Sequence, residues 1–300
     1  MSEIIHKLFG PRKAKSKEIP TVPLPQKPPG DEKPPAQEKI RLELPQLIIG
    51  CAQSNGKQRD HNEDALLTLT TNLSSDRGNT TLGLYIVADG MGGHKHGEEA
   101  SELAVRAISS QIVRKVITLL LSPKPGVPSE SIQEIMQEGA QEAHRVIVKN
   151  APGGGTTITS LLILDKQMTL SHVGDSRAYT IAPDGEIHAL TRDHSLVMRM
   201  IELGQITTQE AAVHPQRNVL YRALGQGELF APDIGTYPLP ESGHILLCSD
   251  GLWGVVSEES IARLVNSAPN PQVACQLLID AANEGGGPDN ISAILIRIPD

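Results

Sequence analysis

The sequence predicts an α+β fold in which antiparallel sheets are covered by helices. Two observations carry this. Short apolar or alternating runs of strand type outnumber the helical patterns, and the two do not alternate along the chain. A doubly wound parallel sheet needs that alternation, so it is excluded. Composition adds a third constraint. Aromatic residues make up only 2% of the 300 residues, so the core must be built from Leu, Ile, Val and Ala.

The elements follow in order. Residues 1–45 hold nine prolines interleaved with Lys and Glu. Proline fixes φ and lacks the amide proton, so regular pairing is blocked. Few apolar side chains are available to offset ordering. This stretch is expected to be a disordered Pro/Lys-rich tail, with the folded domain over 46–300. Residues 46–52, 65–70 and 81–88 read as strands bounded by Asn, Gly and Ser. A helix comes next, with Ala100, Leu103, Ala104, Ala107, Ile108, Ile112, Val116 and Leu120 at three- and four-residue steps. The stretch Pro123–Gly126 ends it. A second helix places Ile132, Ile135, Met136, Ala140, Ala143, Val146 and Ile147 on one side, with capping-box spacing at Ser131 and Glu134.

Strands return at 157–164, 168–174, 176–182 and 187–190, with a hairpin signal at Asp184-Gly185. Residues 195–225 are polar, irregular and helix-leaning. Strands are expected near 233–239 and 244–249, then two helices. The second of these opens with Asn270 as N-cap and Pro271 at the first helical position. Gly285-Gly286-Gly287-Pro288 stops it, and 291–298 is a last strand.

Charge and cysteine usage narrow the function. The net charge is −8, and residues 1–45 carry nine Lys and Arg against six Asp and Glu. The tail is therefore +3 and the remainder −11. An acidic domain argues against nucleic acid as partner, because phosphates require basic surface. Three cysteines fit neither a zinc pattern nor a disulfide framework, so a reducing, cytoplasmic setting is expected. No apolar run approaches the ~20 residues of a membrane span, and the N-terminus lacks the order of a secretory signal.

One local pattern recurs. LYIVADG puts Asp89 after an apolar strand and before a glycine, HILLCSDG does the same with Asp250, and GGGPDNISAILI puts Asp289 just before a strand. A single Asp-Gly is most often a turn. Three with the same apolar context suggest acids converging at one edge of the sheets. Carboxylates that close repel unless a cation lies among them. Oxygen-only ligands favour hard ions such as Mg²⁺ or Mn²⁺. Glycine beside an acid lets a main-chain carbonyl approach the same ion.

With RDHNEDA (59–65), VADGMGGH (87–94), GGTTITSLLI (154–163), HVGDSRAY (172–179), LTRDHSLV (190–197), NVLYRALG (218–225), LLCSDGLW (246–253) and GGPDNISAILI (286–296), the chain resembles the metal-dependent (PPM, type 2C) protein serine/threonine phosphatases in their bacterial form. The resemblance spans about residues 48–298. It implies a four-layer α-β-β-α sandwich, with two central antiparallel sheets flanked by helices. It also implies two Mn²⁺ or Mg²⁺ ions per site. Asp89 would bridge them, Gly90 would supply a carbonyl to the second, and Asp250 and Asp289 would hold the first. Glu63 and Asp64 would reach the centre largely through water. Asp193 would join Asp250 at a third, weaker site.

The implied reaction is direct attack of a metal-bridged hydroxide on phosphoserine or phosphothreonine in proteins. The enzyme would be a monomer opposing a Ser/Thr kinase. Arg59 would clamp the phosphate, the alternative being an ion pair with its neighbours Asp60 and Glu63. Met91 stands where many relatives carry a histidine, which leaves His94 as a candidate general acid beside a metal-bound water. His61 and His194 read as structural. Gly254 stands where relatives often have an acid of the third site. Asp175 and Arg177 read as framework at a hairpin turn. Residues 196–221 match a variable flap, and Met198, Met200 and the His214-Pro215 turn are expected to touch the protein substrate. Two other readings stay open: a non-catalytic phosphoprotein-binding relative and a small-molecule phosphomonoesterase.

Overall fold

The computed structural model describes residues 47–75, 78–92, 95–123, 126, 128–228 and 231–298. The predicted tail and His94 lie outside them.

Twelve strands form among the described residues. They are β1 (Ile48–Ser54), β2 (Ala65–Ser75), β3 (Gly78–Ala88), β4 (Gly90–Met91), β5 (Gly155–Thr156), β6 (Ile158–Leu164), β7 (Gln167–Val173), β8 (Arg177–Ile181), β9 (Ile187–Ala189), β10 (Asp233–Pro238), β11 (Gly243–Cys248) and β12 (Ile291–Ile298). Ten of them make two five-stranded sheets, in the orders β1-β12-β11-β8-β9 and β10-β7-β6-β3-β2. Every pairing within them is antiparallel. The short strands β4 and β5 pair with each other.

The helices cover the outer faces. Helix α1 (Lys95–Ile112) continues through one π-helical turn, Val113–Ile117, into Thr118–Leu120. Helix α2 (Ile132–Asn150) starts at the predicted cap: the Ser131 hydroxyl accepts from the Glu134 amide, and the Glu134 carboxylate accepts in return from the Ser131 amide. Helices α3 (Leu196–Glu202) and α4 (Thr208–Ala212) lie in the flap. They are followed by α5 (Asp250–Trp253), α6 (Glu258–Ser267) and α7 (Pro271–Glu284), the last capped by the Asn270 side chain as expected.

Side-chain alternation explains the layers. On β3, Leu82, Leu84, Ile86 and Ala88 pack under α1 and α2, while Tyr85 and Val87 face the other sheet. On β12, Ile291, Ala293 and Leu295 meet α6 and α7, while Ile294, Ile296 and Ile298 face inward. Successive residues of a strand point to opposite faces, so a run that is apolar at every position is buried on both sides. Three cores result, one between the sheets and one under each helix layer. This is the predicted α-β-β-α sandwich.

Antiparallel register brings the site together. The end of β11 lies beside the start of β12, since Cys248 pairs with Ala293. The start of β2 lies beside the end of β3, since Ala65 pairs with Ala88. Asp64, Asp89, Asp250 and Asp289 each leave or enter one of these strand ends.

Candidate metal centre

Each acid is fixed by its backbone. Asp89 follows β3 and is gripped by the 156–157 segment. Its amide donates to Thr157 Oγ1 (2.9 Å), and its carbonyl accepts from the Thr157 amide and from Thr156 Oγ1 (2.9 Å each). Gly90 packs so closely that a Cβ there would lie 2.3 Å from the Gly97 carbonyl oxygen and 2.5 Å from that of Glu63. Only glycine fits. Asp64 Oδ2 accepts from Ser249 Oγ (2.9 Å), just past β11, and from Ser292 Oγ (2.7 Å), on β12.

Asn290 fastens the loop before β2 to the Asp289 turn. Its Oδ1 accepts from the Glu63 amide (2.8 Å), and its Nδ2 donates to the carbonyls of His61 (2.8 Å) and Asn55 (3.0 Å). Gly56, at φ +77°, completes that contact: a Cβ would sit 2.2 Å from the Asp289 carbonyl oxygen.

Asp89, Asp250 and Asp289 line one cleft of about 510 Å³, together with Arg59, Asp60, His61, Glu63, Gly90, Met91 and Asp175, and buried Asp64 is close enough to act on Asp89. Its electrostatics are strained. Burial first, then Asp64, Asp250, Asp175 and Asp289 in turn, push the Asp89 carboxyl well above its usual range. Burial pushes Asp64 up to about 7, against the two serine hydrogen bonds. Burial and then Asp289 raise Asp250 to about 6, although a hydrogen bond with Asp89 pulls it back. Asp175 is likewise raised by burial and then by Asp250. Negative charge has been collected here beyond what the protein's own donors neutralise.

The residues fit hard divalent ions. The Oδ1 atoms of Asp64 and Asp250 are buried and accept no hydrogen bond. An ionised oxygen kept from both water and donors is costly, and a cation offsets it. The donors are all oxygen, and the glycine at position 90 leaves its carbonyl approachable. Among the described residues, no three His, Cys, Asp or Glu side chains stand close enough to enclose an ion as they are. Carboxylates that repel one another have reason to stay apart until a cation lies between them.

Other expected residues fall as follows. Arg59 reaches the cleft and pairs with Asp289 Oδ2 (2.7 Å), a partner 230 residues away and not its sequence neighbours Asp60 and Glu63. Its pKa is raised chiefly by that bond. Glu63 is buried, with Oε1 3.0 Å from His61 Nε2. His194 is an anchor. Its Nδ1 accepts from the Gly174 amide (3.1 Å), and Nε2 therefore donates to Asp233 Oδ2 (3.1 Å).

Asp193 is already engaged by the protein. Arg177 holds both its oxygens, Nε to Oδ1 at 2.9 Å and Nη2 to Oδ2 at 2.7 Å. The same guanidinium lies 3.5 Å over the Trp253 ring. Asp193 is thus charge-paired with Arg177. Asp175, expected to be framework, lines the cleft instead, and its carbonyl accepts from Trp253 Nε1 (2.9 Å). The sequence contained one signal for Asp175: an acid-glycine pair at the end of the apolar β7, written Gly-Asp where the other two read Asp-Gly.

The flap joins the domain through a narrow neck. The Leu196 amide donates to the Val219 carbonyl (2.7 Å) and the Tyr221 amide to the His194 carbonyl (2.9 Å). Of the residues expected to meet substrate, Met198 lines a cavity bordering the cleft, whereas Met200 and His214 line neither.

Known proteins resemble this chain in sequence and fold. The family model described as protein phosphatase 2C matches residues 50–291. The chain is 36% identical over 248 residues to the serine/threonine phosphatase stp of Listeria innocua, covering 81% of this chain and 92% of that one. A serine/threonine phosphatase of S. agalactiae superposes with a TM-score of 0.69 at 32% identity, over 84% of this chain and 99% of that chain. The catalytic domain of the serine/threonine protein phosphatase PstP, in complex with two manganese ions, superposes at 0.67 with 28% identity, over 85% and 99%. With its fold, its acidic cleft and these matches in agreement, the chain belongs to the protein phosphatase 2C family.

Proposed function

We propose that this protein is a metal-dependent serine/threonine phosphatase that removes phosphate from phosphoserine and phosphothreonine in proteins and opposes a Ser/Thr protein kinase. The observation that carries this is the crowding of Asp89, Asp175, Asp250 and Asp289 into one cleft with a single arginine, Arg59, beside them, and with buried Asp64 close enough to act on Asp89. Asp89, the Gly90 carbonyl, Asp250 and Asp289 hold two Mn²⁺ or Mg²⁺ ions, with Asp64 and Glu63 supporting them from behind. Two such ions supply an activated water near neutral pH and screen the phosphate charge.

The chain's own groups do the rest. Arg59 orients the phosphate, because a planar guanidinium meets two phosphate oxygens at once. Ser249 and Ser292 keep Asp64 aimed, and Thr156 and Thr157 keep Asp89 in place. A third, weaker ion belongs with Asp250 and Asp175, not with Asp193. In favour of this are the mutual repulsion of the first two and the neutralisation of Asp193 by Arg177. We read the protein as a monomer of the reducing cytoplasm, in keeping with three free cysteines and with no described helix long and apolar enough to cross a membrane.

The test compares Mn²⁺-dependent turnover of phosphothreonine peptides with that of sugar phosphates. Peptides should be strongly preferred, and Asp89→Asn should abolish turnover in a protein that still unfolds cooperatively. Preference for sugar phosphates would overturn the protein-substrate reading. Calorimetric Mn²⁺ titration should lose its weakest step in Asp175→Asn and keep it in Asp193→Asn.

A further inference from the structure

A second cavity, of about 360 Å³, lies between the flap and the turn that carries Asp250. It shares Asp175, Asn218 and Asp250 with the acidic cleft, so the two spaces adjoin. Its chemistry is different. Val197, Met198 and Ile201 of α3, Ala211 of α4 and Trp253 of α5 give it an apolar wall. Arg177 and Asp193 also border it, but each occupies the other. Ser195, Thr208 and the exposed Arg217 line it too. A preference for Asp over Leu in phosphothreonine peptides would point to Arg217 and overturn an aliphatic occupant.

Helix α3 is unusual in this setting. Its apolar residues at i, i+1 and i+4 share one face, yet none of its residues is fully buried. Protein interiors are close-packed, and an apolar helix face normally fills its space. Here it walls an opening. An apolar cavity with a few polar groups, beside a reactive centre, is the common form of a ligand subsite.

Chain geometry identifies the occupant. In an extended peptide, side chains alternate between faces, so the residue pointing the same way as residue i is i+2 or i−2, about 7 Å along. A substrate with its phosphoester in the acidic cleft therefore offers this neighbouring space the side chain two residues away.

We propose that the cavity is a specificity subsite for an aliphatic side chain, such as Leu or Met, two residues from the phosphorylated Ser or Thr. This rests on the reading that the substrate is a phosphoprotein. The shared wall Asp175–Asn218–Asp250 couples the subsite to the phosphate position, so filling it holds the phosphoester in register with Arg59.

The experiment uses the full chain with Mn²⁺ and phosphothreonine peptides carrying Leu, Ala or Asp at −2, −1, +1 and +2. The expected result is a preference for Leu over Ala of about tenfold in kcat/KM at one of the two outer positions, with none at −1 or +1. In Ile201→Asp, which makes the wall polar, the Leu/Ala ratio should fall to within about twofold of unity. In Ala211→Leu, which fills the space from α4, it should do the same. The ratio is read within each protein, so a general loss of rate in a variant does not affect it. A ratio near one at both outer positions of the unaltered protein overturns the proposal, as does a preference that survives both substitutions. Peptides all hydrolysed alike would sink the subsite and leave the phosphatase reading intact. Failure to hydrolyse any of them, with a small aryl phosphate still turned over, would sink both.

Discussion

Chelating divalent ions and then raising the pH from 6.5 to 8.5 loads the acidic cleft most directly. Burial and mutual repulsion raise Asp64 to about 7 and Asp89 and Asp175 well above their ordinary range. A carboxyl whose folded pKa lies above its unfolded value keeps a proton that the unfolded chain has already released. Folding stability therefore falls as pH climbs from the unfolded toward the folded value. His172, lowered by burial to about 3, and His144, His194 and His244, lowered for the same first reason, act in the opposite sense. About 0.4 kcal/mol of that opposing effect per histidine remains above their unfolded value of 6.5 and is gone by about 7.5, so above that the acids dominate. The buried thiols Cys248 and Cys275, both raised by burial, act only near and above their ordinary value of 9.0.

Across that window Asp64 contributes a loss of about 1 kcal/mol, and each carboxyl that stays protonated throughout adds about 2.7 kcal/mol. At roughly 2–4 °C per kcal/mol for a domain of this size, the ion-free Tm should drop by several degrees. Thermal unfolding followed by circular dichroism in chelator, at pH steps of about 0.5, measures it. Saturating Mn²⁺ should raise Tm most at the alkaline end, and Asp64→Asn should make the ion-free slope shallower. An ion-free Tm that stays level or climbs between pH 6.5 and 8.5 would refute the claim that these acids are held together against their own repulsion.

Three further outcomes are expected. Gly90→Ala should weaken Mn²⁺ binding at least about tenfold by calorimetry, because its Cβ would collide with two carbonyl oxygens in a packed site that cannot yield cheaply. Arg177→Lys should cost about 3 kcal/mol in urea unfolding, since lysine cannot make the forked bond to buried Asp193 or stack on Trp253. Asp233→Ala removes the acceptor shared by His194 and Arg222. It should speed proteolytic cleavage within 196–221 several-fold while shifting the global Tm by only a few degrees.

Much of the fold was legible because period-2 and period-3.6 patterns are local. The near-continuous apolar runs along 81–88 and 291–298 marked strands, and Ser131 and Asn270 marked helix starts that formed as expected. The extra length of the β2–β3 hairpin was not legible. Its outer pairs, Thr71–Leu82 to Ser75–Gly78, are largely polar and give no apolar signal. The paired dipeptides β4 and β5 are too short to carry a pattern at all. At the centre, Asp89, Asp250 and Asp289 were visible because each repeats an acid, a glycine and an apolar strand. Asp175 lacked that word order, and Asp193 had it in no form. On pattern alone neither acid could be placed relative to the cleft, and the Arg177 fork to Asp193 spans distant positions that no local pattern records.

The sequence by itself determined which stretches are strands and helices, where the acids interrupt them, and that the folded part carries a surplus of negative charge, since these depend on neighbours within a few residues. Only the tertiary structure decided which acids face one another, that Arg59 reaches Asp289 across 230 positions, and that a cavity opens under the flap. Those facts depend on how two sheets stack and how their strand ends align, and distance in space is not written in distance along the chain.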